Sequence, residues 1–238
     1  MRIAVFSDVH ANIHALKAVL ADIAAQRPDR TLCLGDLVGY GAFPNEVVET
    51  IRTSGIPTIK GNYDDGVGYE RGDCGCAYKT QADRERGHES IVWTTKEVTE
   101  QNKAFLRQLL PSIEIRSNGI TVKAVHGSPR RVNEYLFEDR PATSLQKVLD
   151  IAGTDVLVCG HTHLPYHKVI GARHIVNDGS VGKPKHGNSL ACYAILEINS
   201  TLHVGFRYVD YDFEAAAAAV ESVGLPREFA EALRTGKG

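Results

Sequence analysis

Residues 2–36 read RIAVFSDVHANIHALKAVLADIAAQRPDRTLCLGD. The apolar run at 2–7 has the length and composition of a strand, and Asp8 and His10 follow it directly. Residues 12–26 then set Ile13, Leu16, Leu20 and Ile23 on one face, with Asn12 placed to cap the helix they imply. A second apolar run, RTLCL at 30–34, ends on Gly35-Asp36. Pro44 and Asn45 open another helix that reaches about Ser54, and residues 56–60 read as a third strand. Strand-helix-strand-helix-strand predicts parallel pairing through crossover helices.

The pattern changes farther along the chain. Residues 79–110 read as two helices broken near Thr99. Residues 113–116 and 120–126 read as a hairpin, because Asn118-Gly119 accepts the left-handed backbone a tight turn needs. A helix at 142–152 leads into the apolar strand 155–160. Strands then follow at 166–170, 173–177, 190–198 and 202–209, and helices near 212–223 and 226–234 close the chain. The reading is one domain, residues 1–238, of α/β (α+β) class, with two sheets packed face to face. A lid-like insertion around 66–100 carries the polar, glycine-rich segment GDCGC at 72–76.

Composition narrows the function. Charged residues make up 24% and hydrophobic ones 43%, which suits a globular chain and not a disordered one. The formal net charge of -2 argues against a broad basic surface for nucleic acid or membrane. No apolar run reaches the roughly 18 residues of a membrane span, and the N-terminus lacks a signal-peptide plan. A cytoplasmic protein is expected. Cys33, Cys159 and Cys192 lie in apolar runs as reduced thiols, so no disulfide framework is indicated.

Five short motifs share one placement: each follows an apolar strand. They are Asp8 with His10, Asp36, Asn62 with Asp64, His126, and His161 with His163. Taken singly, each has an ordinary reading as turn chemistry or a loop histidine. Together they put carboxylate, imidazole and amide at the carboxyl ends of neighbouring strands, where open α/β sheets gather ligands. No cysteine occurs among them, so a structural zinc site is not indicated, and mixed N/O ligation suits Mn, Fe, Co, Ni or Zn. The donors outnumber the needs of one ion. Two ions about 3.5–4 Å apart, sharing a carboxylate, account for the number. A further metal at Cys74, Cys76 and His88 lacks an evident fourth ligand.

The ordered set D-x-H (Asp8, His10), G-D-x-x-G (Gly35, Asp36, Gly39), G-N-x-D (Gly61 to Asp64), H-G (His126, Gly127) and G-H-T-H (Gly160 to His163) resembles the calcineurin-like metallophosphoesterases, in particular their small bacterial and archaeal phosphodiesterase-like branch. NDGSVGKP at 177–184 extends the resemblance. It implies a four-layer αββα sandwich of two mixed sheets flanked by helices, with a dinuclear centre at its rim. Carried over by position, one ion takes Asp8, His10, Asp36 and His163, and the other takes Asp36, Asn62, His126 and His161. Asp36 is then the bridge, and a hydroxide between two divalent ions, manganese first among them, attacks phosphorus.

Asn62, Asp64 and His126 are on this reading the catalytic residues, and Asn62, Arg130 and Lys183 the substrate contacts. Arg131, Lys185 and His186 stand close to them in sequence. Solvated surface residues are the competing reading for Arg130, Arg131 and the loop at 183–188. His14, His167, His174 and His203 match no motif and read as structural.

One position departs from the family. Many members read G-N-H-D or G-N-H-E, with the histidine thought to protonate the leaving group, whereas this chain has Tyr63. A phenol of reference pKa about 10 does not replace an imidazolium. Asp64, a water or the substrate is left to supply the proton, and good leaving groups are favoured. The expected substrates are small, phosphorylated and nucleotide-like, with dinucleoside polyphosphates included. A phosphoprotein phosphatase and a metal-retaining, non-catalytic interaction protein are the alternatives. No stable nucleic-acid or membrane partner is expected, and the oligomeric state is open.

Overall fold

The structure is a computed structural model that describes residues 1–237. β1 (Arg2–Phe6) and β2 (Arg30–Cys33) pair in parallel, joined across by α1 (Ile13–Gln26). The Asn12 side chain caps α1 by accepting from Ala15 N at 3.0 Å. α2 (Pro44–Ser54) begins on its proline and ends at Gly55 in the left-handed region. The predicted strand at 56–60 does not form. Single parallel bridges, Cys33 with Thr58 and Ile59 with Leu110, take its place. Pro57 has no N–H to give a ladder. Residues 62–68, for which the sequence pattern predicts no element, form the short helix α3 (Asn62–Gly68).

α4 (Gln81–Glu97) and α5 (Glu100–Gln108) divide at Thr99, whose hydroxyl caps α5 through Asn102 N. β3 (Ile113–Ser117) and β4 (Ile120–Ala124) form the hairpin, with Asn118 and Gly119 at φ 50° and 79°. Then come α6 (Ala142–Ala152), β5 (Val156–Cys159), β6 (Tyr166–Ile170), β7 (Arg173–Asn177), β8 (Ala191–Ile198), β9 (Leu202–Val209), α7 (Phe213–Ser222) and α8 (Arg227–Thr235).

The strands make two mixed sheets, ordered β2-β1-β8-β9 and β3-β4-β5-β7-β6. Alternation along each strand sorts side chains into separate cores. Ile3 and Val5 of β1 meet Val156 and Val158 of β5 between the sheets. Ala4 and Phe6 face the opposite way, into a core with Leu16 of α1, Val48 of α2 and Ala217 of α7. Leu157 and Cys159 of β5 pack against Leu145 and Leu149 of α6. Helices, sheet, sheet and helix therefore stack as four layers, as the resemblance implied. Burial on both faces explains why β1 and β5 read as continuous apolar runs rather than alternating ones.

Candidate metal centre

The loops leaving β1 and β2 stay paired beyond the strands. Asp8 N donates to the Gly35 carbonyl and His10 N to the Asp36 carbonyl, each at 2.9 Å. The loop after β5 is drawn against them, since His161 N donates to Asp8 Oδ2 at 2.9 Å. Gly160 permits that approach, because a Cβ there would overlap Ser7 Oγ and lie 2.7 Å from Asp8 Oδ2. Asp8, His10, Asp36, His161 and His163 all have positive φ, between 46° and 65°. L-residues in that region cost roughly 1–2 kcal/mol apiece, so five together mark a backbone shaped by its site.

Two triads result. Asp8, His10 and His163 form one, and Asp36, His126 and His161 the other, with donor atoms inside each within 4.8 Å of one another. His163 Nε2 lies 3.2 Å from His10 Nε2 and 3.3 Å from Asp8 Oδ1. His126 Nε2 lies 3.3 Å from His161 Nδ1 and 3.0 Å from Asn62 Oδ1. Asp36 Oδ2 reaches both groups, 3.4 Å from His126 Nε2 and 3.8 Å from His10 Nε2.

These separations fit divalent ions. Ligand bonds near 2.1 Å at a tetrahedral angle put neighbouring donors about 3.4 Å apart. His10 and His163 each donate Nδ1–H to a carbonyl, of Val38 and Lys183, which leaves their Nε2 lone pairs facing inward, and the Leu34 carbonyl takes His126 Nδ1–H and turns its Nε2 the same way. Two such lone pairs at 3.2 Å repel unless a cation lies between them. Asp8 Oδ1 is buried and accepts no hydrogen bond, which is the state of a donor atom kept for a metal.

The electrostatics point the same way. Burial, and then the cost of placing two positive charges side by side with His163, hold His10 well below the ordinary histidine range. Burial likewise lowers His161 and His163, leaving neutral imidazoles. Burial works against ionised Asp8, but the surrounding histidines, His163 foremost, outweigh it and hold the carboxyl well below its usual range. For His126, burial is outweighed by the Asp36 carboxylate, which lifts it to about 10.

Asn62 joins the second triad through its amide oxygen. Asp64 stands behind it: its carboxylate accepts from the backbone N–H groups of Asp36, Leu37 and Gly61 at 2.8–2.9 Å. Burial, then Asp36, push Asp64 up to about 7. Tyr63 is buried with its hydroxyl unpartnered, and its ring is edge-on to His10 with centroids 5.5 Å apart. The Lys183 carbonyl anchors His163, and its ammonium lies 4.7 Å over the Tyr40 ring. Arg130 is ion-paired with Glu134. Arg130 and Arg131 line a cleft of about 560 Å³ with His126, Lys60 and Lys123. His14 packs near Phe43, and His167 and His174 bond each other at 2.9 Å, all outside the triads.

Two supports were not singled out in the sequence. Ser7 Oγ contacts Asp8 Oδ2 at 2.5 Å and Asp178 Oδ1 at 2.8 Å. Burial, then the Asp8 charge, push Asp178 well above the carboxylate range. The Ser7 hydroxyl is the donor in this pair of contacts and ties Asp8 to Asp178. The NDGSVGKP run held this signal. Tyr135 stacks on His161 with centroids 3.9 Å apart, and no local pattern marks it.

The family model of the calcineurin-like phosphoesterase superfamily domain matches residues 1–201. The chain belongs to this superfamily. It is 34% identical to an uncharacterised protein of Methanocaldococcus jannaschii, covering 99% of this chain and 98% of that one. The crystal structure of a metallophosphoesterase from Sphaerobacter thermophilus superposes with a TM-score of 0.79 at 31% identity, covering 99% of both chains. A hypothetical protein of Pyrococcus horikoshii gives a TM-score of 0.84 at 21% identity, covering 99% and 98%, and shares the fold. Two buried triads at the sheet rim are thus a feature of a phosphoesterase-superfamily chain.

Proposed function

We propose that this chain is a metal-dependent phosphoesterase that hydrolyses phosphodiester or phosphoanhydride bonds in small nucleotide-type substrates, dinucleoside polyphosphates among them. The observation that carries the reading is the pair of triads with Asp36 Oδ2 within 3.8 Å of both. Two divalent ions, manganese first, would be held by Asp8, His10, Asp36 and His163 and by Asp36, Asn62, His126 and His161. Such ions supply Lewis acidity toward phosphoryl oxygens and lower the pKa of water.

The chain's own residues do the rest. Neutral His10, His161 and His163 offer lone pairs without first losing a proton. The Ser7–Asp178 pair orients Asp8, and Asp64 orients the loop that carries Asp36. Lys123 and Arg131 around the cleft beside His126 suit an anionic substrate, and Lys60 there is paired with Asp65 at 3.7 Å. Arg130, committed to Glu134, contributes less there than the sequence reading gave it. With Tyr63 where an imidazole often stands, leaving groups that depart without a proton are favoured. Residues 66–100 we read as the lid-like insertion that frames entry.

The test is hydrolysis of an aryl phosphodiester by purified protein, with Mn²⁺, with chelator, and with Asp36→Asn as control. Turnover that needs metal and fails in the variant is expected. Metal-loaded protein that turns over neither the aryl diester nor a nucleotide panel overturns the reading and favours the non-catalytic alternative.

A further inference from the structure

Cys74 and Cys76 belong to neither triad, yet both touch a residue that does. Asn62 Nδ2 donates to the Cys74 carbonyl at 3.1 Å and to Cys76 Sγ at 3.3 Å. These acceptors hold the amide so that Oδ1 faces His126 Nε2 at 3.0 Å. The two sulfurs are 3.1 Å apart. Gly75 between them has φ +67°, and a side chain there would strike Asn133, whose amide donates to the Gly75 carbonyl at 2.9 Å. The backbone of this tripeptide is therefore fixed with both sulfurs on one side. Cys33, Cys159 and Cys192 are fully buried on strands. Cys74 is buried and Cys76 half-buried, and both line a solvent-open cleft of about 350 Å³ with Arg84 and His88.

We propose that Cys74 and Cys76 are a reversible thiol modification site, converted to an intramolecular disulfide by low-molecular-weight disulfides, and that this oxidation weakens the ion held by Asn62. The inference rests on the metal-centre reading above. The sulfur of one cysteine bonds to one sulfur of the reagent, whose S–S bond breaks and releases one thiol. The sulfur of the other cysteine then bonds to the first and displaces the second thiol. The protein loses two electrons and two protons, and the reagent gains both as two thiols. An S–S bond of about 2.05 Å requires the sulfurs to close by roughly 1 Å. That movement draws Cys76 Sγ toward Cys74 and takes an acceptor from Asn62. Loss of a partner that orients a metal ligand typically lowers affinity about 10–100-fold.

The experiment treats full-length protein with oxidised glutathione, then measures the peptide masses and the Mn²⁺ affinity. The expected result is the loss of two hydrogens confined to the peptide carrying both cysteines, with Mn²⁺ affinity at one site reduced about 10-fold or more and restored by dithiothreitol. Cys74→Ser leaves both acceptors of Asn62 in place, because Cys74 accepts through its backbone carbonyl, so it should bind Mn²⁺ normally before oxidation and show no loss of two hydrogens after it. Failure to form the disulfide, or a disulfide that leaves affinity unchanged, overturns this inference alone. Reduced protein that binds no Mn²⁺ overturns the metal-centre reading with it. Absence of hydrolysis bears only on the proposed activity.

Discussion

The two triads should take up metal with different pH dependence. His126 is lifted to about 10 because the Asp36 carboxylate outweighs burial. In the metal-free protein it is protonated at neutral pH, and its proton must leave before Nε2 can ligate. Each pH unit below that value therefore changes apparent affinity tenfold, about 1.4 kcal/mol. Between pH 6.5 and 8.5 the triad of Asp36, His126 and His161 should gain about 100-fold, near 3 kcal/mol. The triad of Asp8, His10 and His163 should stay flat over the same range. Burial keeps both its imidazoles below the ordinary histidine value, and Asp8 is ionised throughout. Calorimetric titration of metal-free protein with Mn²⁺, in two buffers of different ionisation enthalpy, separates the classes. One step should release close to one proton and strengthen with pH, and the other should release none. Equal slopes, or no proton release at either step, would refute the assignment.

Other expectations follow from the same geometry. His161 is held well below its unfolded value near 6.5, so the stability of its neutral form is present above that pH and lost as pH falls below it. In denaturant melts of metal-free protein, His161→Asn should gain on wild type by about 1.4 kcal/mol from pH 7.5 to 5.5, and a pH-independent difference would contradict the buried neutral imidazole. Ser7→Ala leaves Asp8 and Asp178 each short of a contact and should cost about 1–3 kcal/mol, read as a lower Tm with unchanged helicity. Tyr63→His should raise kcat on poor leaving groups more than on good ones, and equal acceleration of both would argue against the leaving-group account. Chelation should lower Tm, since an ion at about 1,000 times its Kd stabilises the fold by roughly 4 kcal/mol, and a chelator-insensitive melt would show the triads empty of metal.

Much of this was legible in the chain. β1, α1 and β2 fall where apolar period and the Asn12 cap place them, and α6 spans 142–152 as its pattern indicates. The ligand-type residues could be found because they stand directly after apolar strands, where position alone implies convergence. The missed features turn on specific contacts, some between near neighbours and some made from elsewhere in the chain. Residues 56–60 are apolar enough for a strand, but Pro57 and the short bridges to Cys33 and Leu110 stop the ladder. α3 contains Gly66 and Gly68, the sequence pattern predicts no element there, and Asp64 ties its first turn to Gly61 N. Tyr135 acquires a role only when the chain returns it to His161, 26 positions away in sequence. Arg130 reads from sequence as a substrate contact or a solvated surface residue, and in the fold its guanidinium pairs with Glu134 four residues on.

The distribution of donors between the sheets explains why the centre tolerates so much backbone strain. Asp8, His10 and Asp36 leave the sheet built on β1 and β2, while His126, His161 and His163 leave the sheet built on β4 and β5. Each triad mixes the two sources: Asp8 and His10 take His163 from across the interface, and Asp36 takes His126 and His161. Neither sheet carries a complete triad, so the donors converge only when Ile3 and Val5 are packed on Val156 and Val158. Five left-handed residues at roughly 1–2 kcal/mol each would be a large deficit for isolated loops. Here they are held by cross-loop bonds, Asp8 N to Gly35 and His161 N to Asp8 among them, that exist only in the packed sandwich. Cations bridging the same loops would add to that restraint. Metal affinity and sheet packing are on this account two sides of one linkage: whatever loosens the inter-sheet core should weaken both ions together.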